Sequence, residues 1–145
     1  MKTGYLSIET HDEHRGVIRF VLSGRQPDPE PTRHTTRRIR YIARFNDCEA
    51  GLMHTHEILK RRLLDPDNHL YRVPMEQAIA AIESLGLNHR RIYLDTDFSA
   101  DTKAQIEALA EQYRDRKRRQ TAFFQTLGYI GVGMLLFNLL FLSFP

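Results

Sequence analysis

The stretch 121-TAFFQTLGYIGVGMLLFNLLFLSFP-145 contains no Asp, Glu, Lys, Arg or His, whereas the chain before it is densely charged. Crossing a hydrocarbon core in a helix takes about 20 mostly apolar residues, and residues 122–144 supply that length. A helix buried in a soluble domain keeps a polar stripe on its solvent side. None is present here, so residues 121–145 read as a transmembrane helix.

The residues just before it set its orientation. Arg114, Arg116, Lys117, Arg118 and Arg119 stand in a basic juxtamembrane segment, 114–120, and no charged side chain follows the apolar run. Positive charge beside a span is retained on the cytoplasmic side. The larger N-terminal part is therefore expected in the cytoplasm, with anionic lipid headgroups as partners of the cations at about 1 kcal/mol each. The first ten residues hold no basic segment followed by an apolar run, so no signal peptide is expected. Arginine outnumbers lysine 17 to 4, in the manner of a GC-rich bacterial genome, and the single Cys48 agrees with a reducing compartment. Together these place the chain in a bacterial inner membrane as a single-pass protein. The net charge of +3 owes much to the cluster at the membrane and is poor evidence for nucleic-acid binding.

Residues 1–113 read as an α+β domain. Two short apolar runs, from Tyr5 to Glu9 and from Val17 to Leu22, flank a polar segment and predict a hairpin with Leu6, Ile8, Ile18, Phe20 and Leu22 on one face. Residues 24–36, with Pro27, Pro29 and Pro31 and no apolar period, read as a mobile loop. From Arg37 to Phe45 alternation predicts a strand with Ile39, Tyr41, Ala43 and Phe45 on one face and Arg38, Arg40, Ile42 and Arg44 on the other. A helix capped by Asn46, with Glu49 in the capping-box position, should bury Cys48, Leu52, Leu59 and Leu63 and stop before Asp65-Pro66. A short strand from Leu70 to Val73 precedes a second helix with Met75, Ala78, Ile79, Ile82 and Leu85 inward and Gly86 at its end. After a strand from Arg91 to Leu94, Ser99 caps a third helix. No Pro or Gly interrupts that helix before Gly128, so one long helix should leave the domain and enter the bilayer. The expected fold is a small mixed sheet of four or five strands with the two middle helices on one face, followed by that long helix.

No group of residues carries a recognisable chemistry. His54 and His56 are two apart on a helix and point away from each other, and Cys48 and His56 are two turns, about 12 Å, apart. His11 and His14 lie in a merely polar turn. Asp95 and Asp97 follow a strand, where acids can hold magnesium, but no partner motif accompanies them. No phosphate loop or nucleophile elbow is present. Neither an enzyme, a cofactor, a metal nor a small-molecule substrate is therefore expected.

Two surfaces stand out instead. Arg38, Arg40 and Arg44, joined by Arg19, Arg91 and Tyr93, would form an arginine-rich sheet face for an acidic protein surface, RNA or another polyanion, though the aromatic signature of an RNA-binding sheet is missing. Within the span, Phe124, Gly128, Gly131, Leu135, Asn138 and Leu142 step by four and three along one seam, with Gln125 at its edge. Small residues let two helix backbones approach, and a membrane-embedded amide seeks an interhelical hydrogen bond. The seam predicts packing on a membrane protein partner or on a second copy. The leading expectation is an accessory or regulatory subunit of an inner-membrane complex, and the other is a membrane-tethered polyanion-binding module.

Overall fold

The computed structural model describes residues 2–11, 16–30 and 37–142. His14, Pro31 and the rest of the loop to residue 36 lie outside them. The chain divides into two compact units, Met1–Glu111 and Gln112–Pro145.

The first unit is α+β. Its strands are β1 (Gly4–His11), β2 (Val17–Ser23), β3 (Arg37–Phe45), β4 (Leu63–Asp65), β5 (Leu70–Arg72) and β6 (His89–Leu94), in the order β4-β5-β2-β1-β3-β6. Two short helices, α1 (Cys48–Leu59) and α2 (Met75–Glu83), and the start of a long one, α3 (Ala100–Leu142), complete it. The sheet has six strands rather than four or five, and every neighbouring pair is antiparallel rather than mixed.

The additional strand comes from residues that read as the end of a helix. α1 stops at Leu59, a single 3-10 turn (Lys60–Arg62) follows, and Leu63 then pairs with Tyr71. What turns the chain is the Asp65 carboxylate, which accepts the backbone N–H groups of Asp67 and Asn68 at 2.9 and 3.3 Å and the Asn68 amide at 2.7 Å. His69 closes the reversal at φ 51°, a left-handed conformation that histidine tolerates better than most residues. An i, i+4 leucine pair cannot by itself distinguish a fifth helical turn from a strand start.

The β1–β2 hairpin forms as its alternation requires, with Leu6 opposite Leu22, Ile8 opposite Phe20 and Thr10 opposite Ile18. Leu6, Ile8, Ile18, Phe20, Tyr41, Ala43 and Phe45 are buried on the face that α1 covers, α1 packing on β1, β2, β3 and α2. Cys48, Leu52 and Leu59 from α1 and Ala78, Ile79, Ile82 and Leu85 from α2 and its end close this core. The helix cap falls one residue later than Asn46: Asp47 is the N-cap, and its carboxylate accepts from Ala50 N–H at 3.1 Å. α3 starts where expected, with Ser99 Oγ accepting from Thr102 N–H at 3.1 Å, and it buries Ile106 and Ala110.

Two β-bulges alter the faces of the sheet. Tyr41 stands opposite Ile8 but Ile39 opposite Glu9, leaving Arg40 as the extra residue. Ile39 therefore lies on the outer face, away from Tyr41. Likewise Ala43 stands opposite Arg91 and Ile42 opposite Tyr93, so Ile92 is extra and Arg91 and Tyr93 point to opposite faces.

Candidate functional site

Of the arginine-rich face, the bulges leave Arg19, Arg44 and Tyr93 on the outer side. Arg44 is exposed and faces Arg90 directly across the strand pair, a cation that alternation in the sequence does not mark because β6 begins two residues before the expected Arg91. Arg91 turns to the helix-covered face. There its Nε donates to Glu83 at 2.7 Å, and Tyr41 Oη donates to the same carboxylate at 2.6 Å. His89 Nε2 lies 3.7 Å away from it. Burial would raise the Glu83 pKa, but the hydrogen bonds from His89, Arg91 and Tyr41 and the charge of Arg91 outweigh it and hold the carboxyl at about 2. Burial, with the Glu83 charge beside it, pushes the Tyr41 phenol well above its ordinary value. This network was not legible in the sequence: Tyr41 is 42 residues from Glu83, and Arg91, only eight away, reaches it because the bulge at Ile92 turns it to that face.

Arg38 and Arg40 are engaged as well. Arg38 Nη2 lies 3.0 Å from each oxygen of Asp95 and 2.8 Å from Asp97 Oδ2, and Arg40 Nη1 lies 2.8 Å from Asp95 Oδ2. That oxygen meets both guanidiniums as charges, off the line of an aligned hydrogen bond. Asp95 is only 1% exposed, and its backbone N–H donates to Arg40 O at 3.0 Å. The two acids after β6 thus clamp the bulge of β3, and Arg40 also stacks over Phe98 at 5.3 Å. Opposite charges in this closely packed arrangement act as a structural fastening. Three of the six residues expected on a polyanion face are accordingly bound to acids of the same unit.

The histidines are placed separately. His56 Nδ1 lies 2.9 Å from Tyr71 Oη, and His54 is beside Glu57. Among the described residues no three His, Cys, Asp or Glu side chains converge as metal ligands.

No protein-family model, curated protein or solved structure matches this chain. Function is therefore argued from geometry alone.

In the second unit the geometry is that of one uninterrupted helix. α3 runs 43 residues without a break through the basic segment and the apolar stretch. It is the one helix among the described residues long and apolar enough to cross a membrane, and none of the apolar window is buried within the protein. Helical geometry sets Phe124, Gly128, Gly131, Leu135 and Asn138 within an arc of about 80°, with Gln125 at its edge. All six are exposed. A Cβ built on Gly128 or Gly131 meets nothing within 4 Å. Arg116, Lys117, Arg118 and Arg119 are exposed too, Arg118 making only a 4.0 Å contact with Asp115 one turn back, while Arg114 is half-buried.

Proposed function

We propose that this chain is a non-enzymatic accessory or regulatory subunit of a bacterial inner-membrane protein complex, anchored by α3, with its folded unit serving as an interaction domain on the cytoplasmic side. The observation that carries this reading is the open seam of α3. Glycine in a helix interior is disfavoured by about 1 kcal/mol relative to alanine, and among the described residues no group approaches Gly128 or Gly131 closely enough to require it. A neighbouring helix would require it, because only a hydrogen at Cα lets two backbones come into close contact. Asn138 lies two turns beyond Gly131 on the same seam and supplies the interhelical hydrogen bond. The cations before the apolar stretch support a cytoplasmic folded unit and contact with anionic headgroups.

Two measurements test it. A reporter active only outside the cytoplasm should be active when fused after Pro145 and silent when fused at Met1, and the reverse pattern overturns the orientation. Gly131→Ile should release the chain from its membrane partners, or abolish cross-linking between copies, while leaving it in the membrane. Leu140→Ile, on the opposite side of α3, should not. If the two variants co-purify equal partners, α3 is an anchor only.

A further inference from the structure

A cavity of about 300 Å³ opens on the outer face of the sheet, at the end where the β1–β2 hairpin turns. Glu9, His11, Arg19, Arg37, Asn68 and Leu70 are among its lining residues. The register explains why they meet: Glu9 is directly opposite Arg19, Arg19 is opposite Leu70, and His11 is opposite Arg37.

Opposite charges directly across an antiparallel pair ordinarily join. Here they do not. Glu9 Oε2 and Arg19 Nε are both buried, and neither has a hydrogen-bond partner among the described residues. A buried carboxylate oxygen and a buried guanidinium nitrogen left without partners are two costs unrelieved, which a bound molecule carrying both a donor and an acceptor would remove together. Arg37, exposed on the neighbouring strand, supplies a second cation to the lining, and the volume suits a molecule of amino-acid size.

We propose that this cavity binds a small zwitterion, its amine held by Glu9 and its carboxylate or phosphate by Arg19 and Arg37. The site is independent of the helix seam. A free amino acid and an aminophosphate lipid headgroup share the required chemistry.

The test uses the full chain in non-ionic micelles, with binding read by saturation-transfer NMR of the probe and by the thermal midpoint of the far-UV signal. Glycine and phosphoethanolamine are compared with acetate, inorganic phosphate and methylamine. The zwitterions should bind at least about tenfold more tightly than the singly functional probes, the effect of one added charge-assisted contact. Glu9→Gln should erase that preference while anion binding survives, Arg19→Gln should erase both, and Arg44→Gln, on the same face outside the cavity, should change neither. Competition by phosphatidylethanolamine placed in the micelle identifies the headgroup as the source, and its absence identifies the free compound. Failure of both zwitterions to bind the unaltered chain, or equal binding of glycine and acetate, overturns the proposal even if a variant misfolds. So does a preference that survives Glu9→Gln in a folded protein.

Discussion

Gly4 and Gly51 in the first unit and Gly128 and Gly131 in the second are surrounded in opposite ways. A Cβ on Gly4 would fall 2.7 Å from Cys48 Sγ and 2.9 Å from the Ser23 carbonyl oxygen, and one on Gly51 would fall 3.0 Å from the Phe45 ring. On Gly128 and Gly131 it would meet nothing. The same contrast holds for the other side chains. In Met1–Glu111 polar groups such as the Glu83 carboxylate find partners, here Tyr41 and Arg91, whereas in the apolar half of α3 large side chains such as Tyr129 stand exposed, at 80%. Apart from the cavity beside Glu9 and Arg19, the first unit supplies its own contacts, whereas among the described residues nothing packs on the apolar half of α3.

One type of substitution placed in each unit should break the two apart. Ile79 is fully buried, so Ile79→Asp strands a carboxylate at several kcal/mol against a total stability of roughly 5–15. It should abolish cooperative unfolding of the first unit while the chain still inserts. Leu136→Asp, off the seam, should oppose insertion by about 2.5–3.5 kcal/mol and leave the unfolding transition intact in detergent. Circular dichroism and membrane fractionation of both variants decide it, and a shared phenotype would mean that the units do not fold separately.

A smaller effect tests how strongly the first unit holds the Glu83 carboxylate. Glu83 is held at about 2 against an ordinary 4.5. A carboxyl depressed in the folded state adds stability that is fully present above the unfolded value and is lost as pH falls through the folded one. About 3 kcal/mol should therefore disappear between pH 4.5 and 2. Glu83→Gln should remove a similar amount at pH 7 and flatten that acid limb in denaturant titrations. An unchanged limb would place the acid sensitivity elsewhere.

Much of the first unit was legible because burial and period agree there. β3 occupies the residues its alternation predicted, and the hairpin register follows from which residues are apolar. The bulges at Arg40 and Ile92 were not legible, since an extra residue in a strand leaves no mark on composition, and each one reverses the face of everything beyond it. That is why Arg91 and Tyr93 parted. The ion pairs of Arg38 and Arg40 with Asp95 and Asp97 escaped because partners such as Arg38 and Asp95, 57 residues apart along the chain, are brought together only by the sheet. In α3 the reverse holds. Its apolar run is plain, but among the described residues nothing is packed against it.

Glycine substitution measures the contrast directly. Gly4→Ala must displace a strand carbonyl and should destabilise the first unit by about 1–3 kcal/mol, the usual range for overpacking. Gly128→Ala should leave the same transition unmoved. Equal shifts in chemical denaturation would remove the distinction between the two surroundings.

The smallest effect lies on the seam itself. Asn138 is exposed in α3, and its amide has a donor and an acceptor that lipid cannot satisfy. If Asn138 joins a second helix, replacement by leucine removes one interhelical hydrogen bond but keeps a side chain of similar volume, so association should weaken by about 0.6–2 kcal/mol, or roughly three- to thirtyfold. Gly131→Ile acts differently, by holding the backbones apart and forfeiting dispersion contacts along the whole seam, and its effect should be the larger. The order of the two is the informative result. Should Asn138→Leu weaken co-purification more than Gly131→Ile, the amide would be the principal contact and the glycines incidental, and the neighbouring helix would be sought by its polar group rather than by its small residues. Leu140→Ala, on the side of α3 away from the seam, fixes the scale against which both are read, because a truncation there should change partner recovery little.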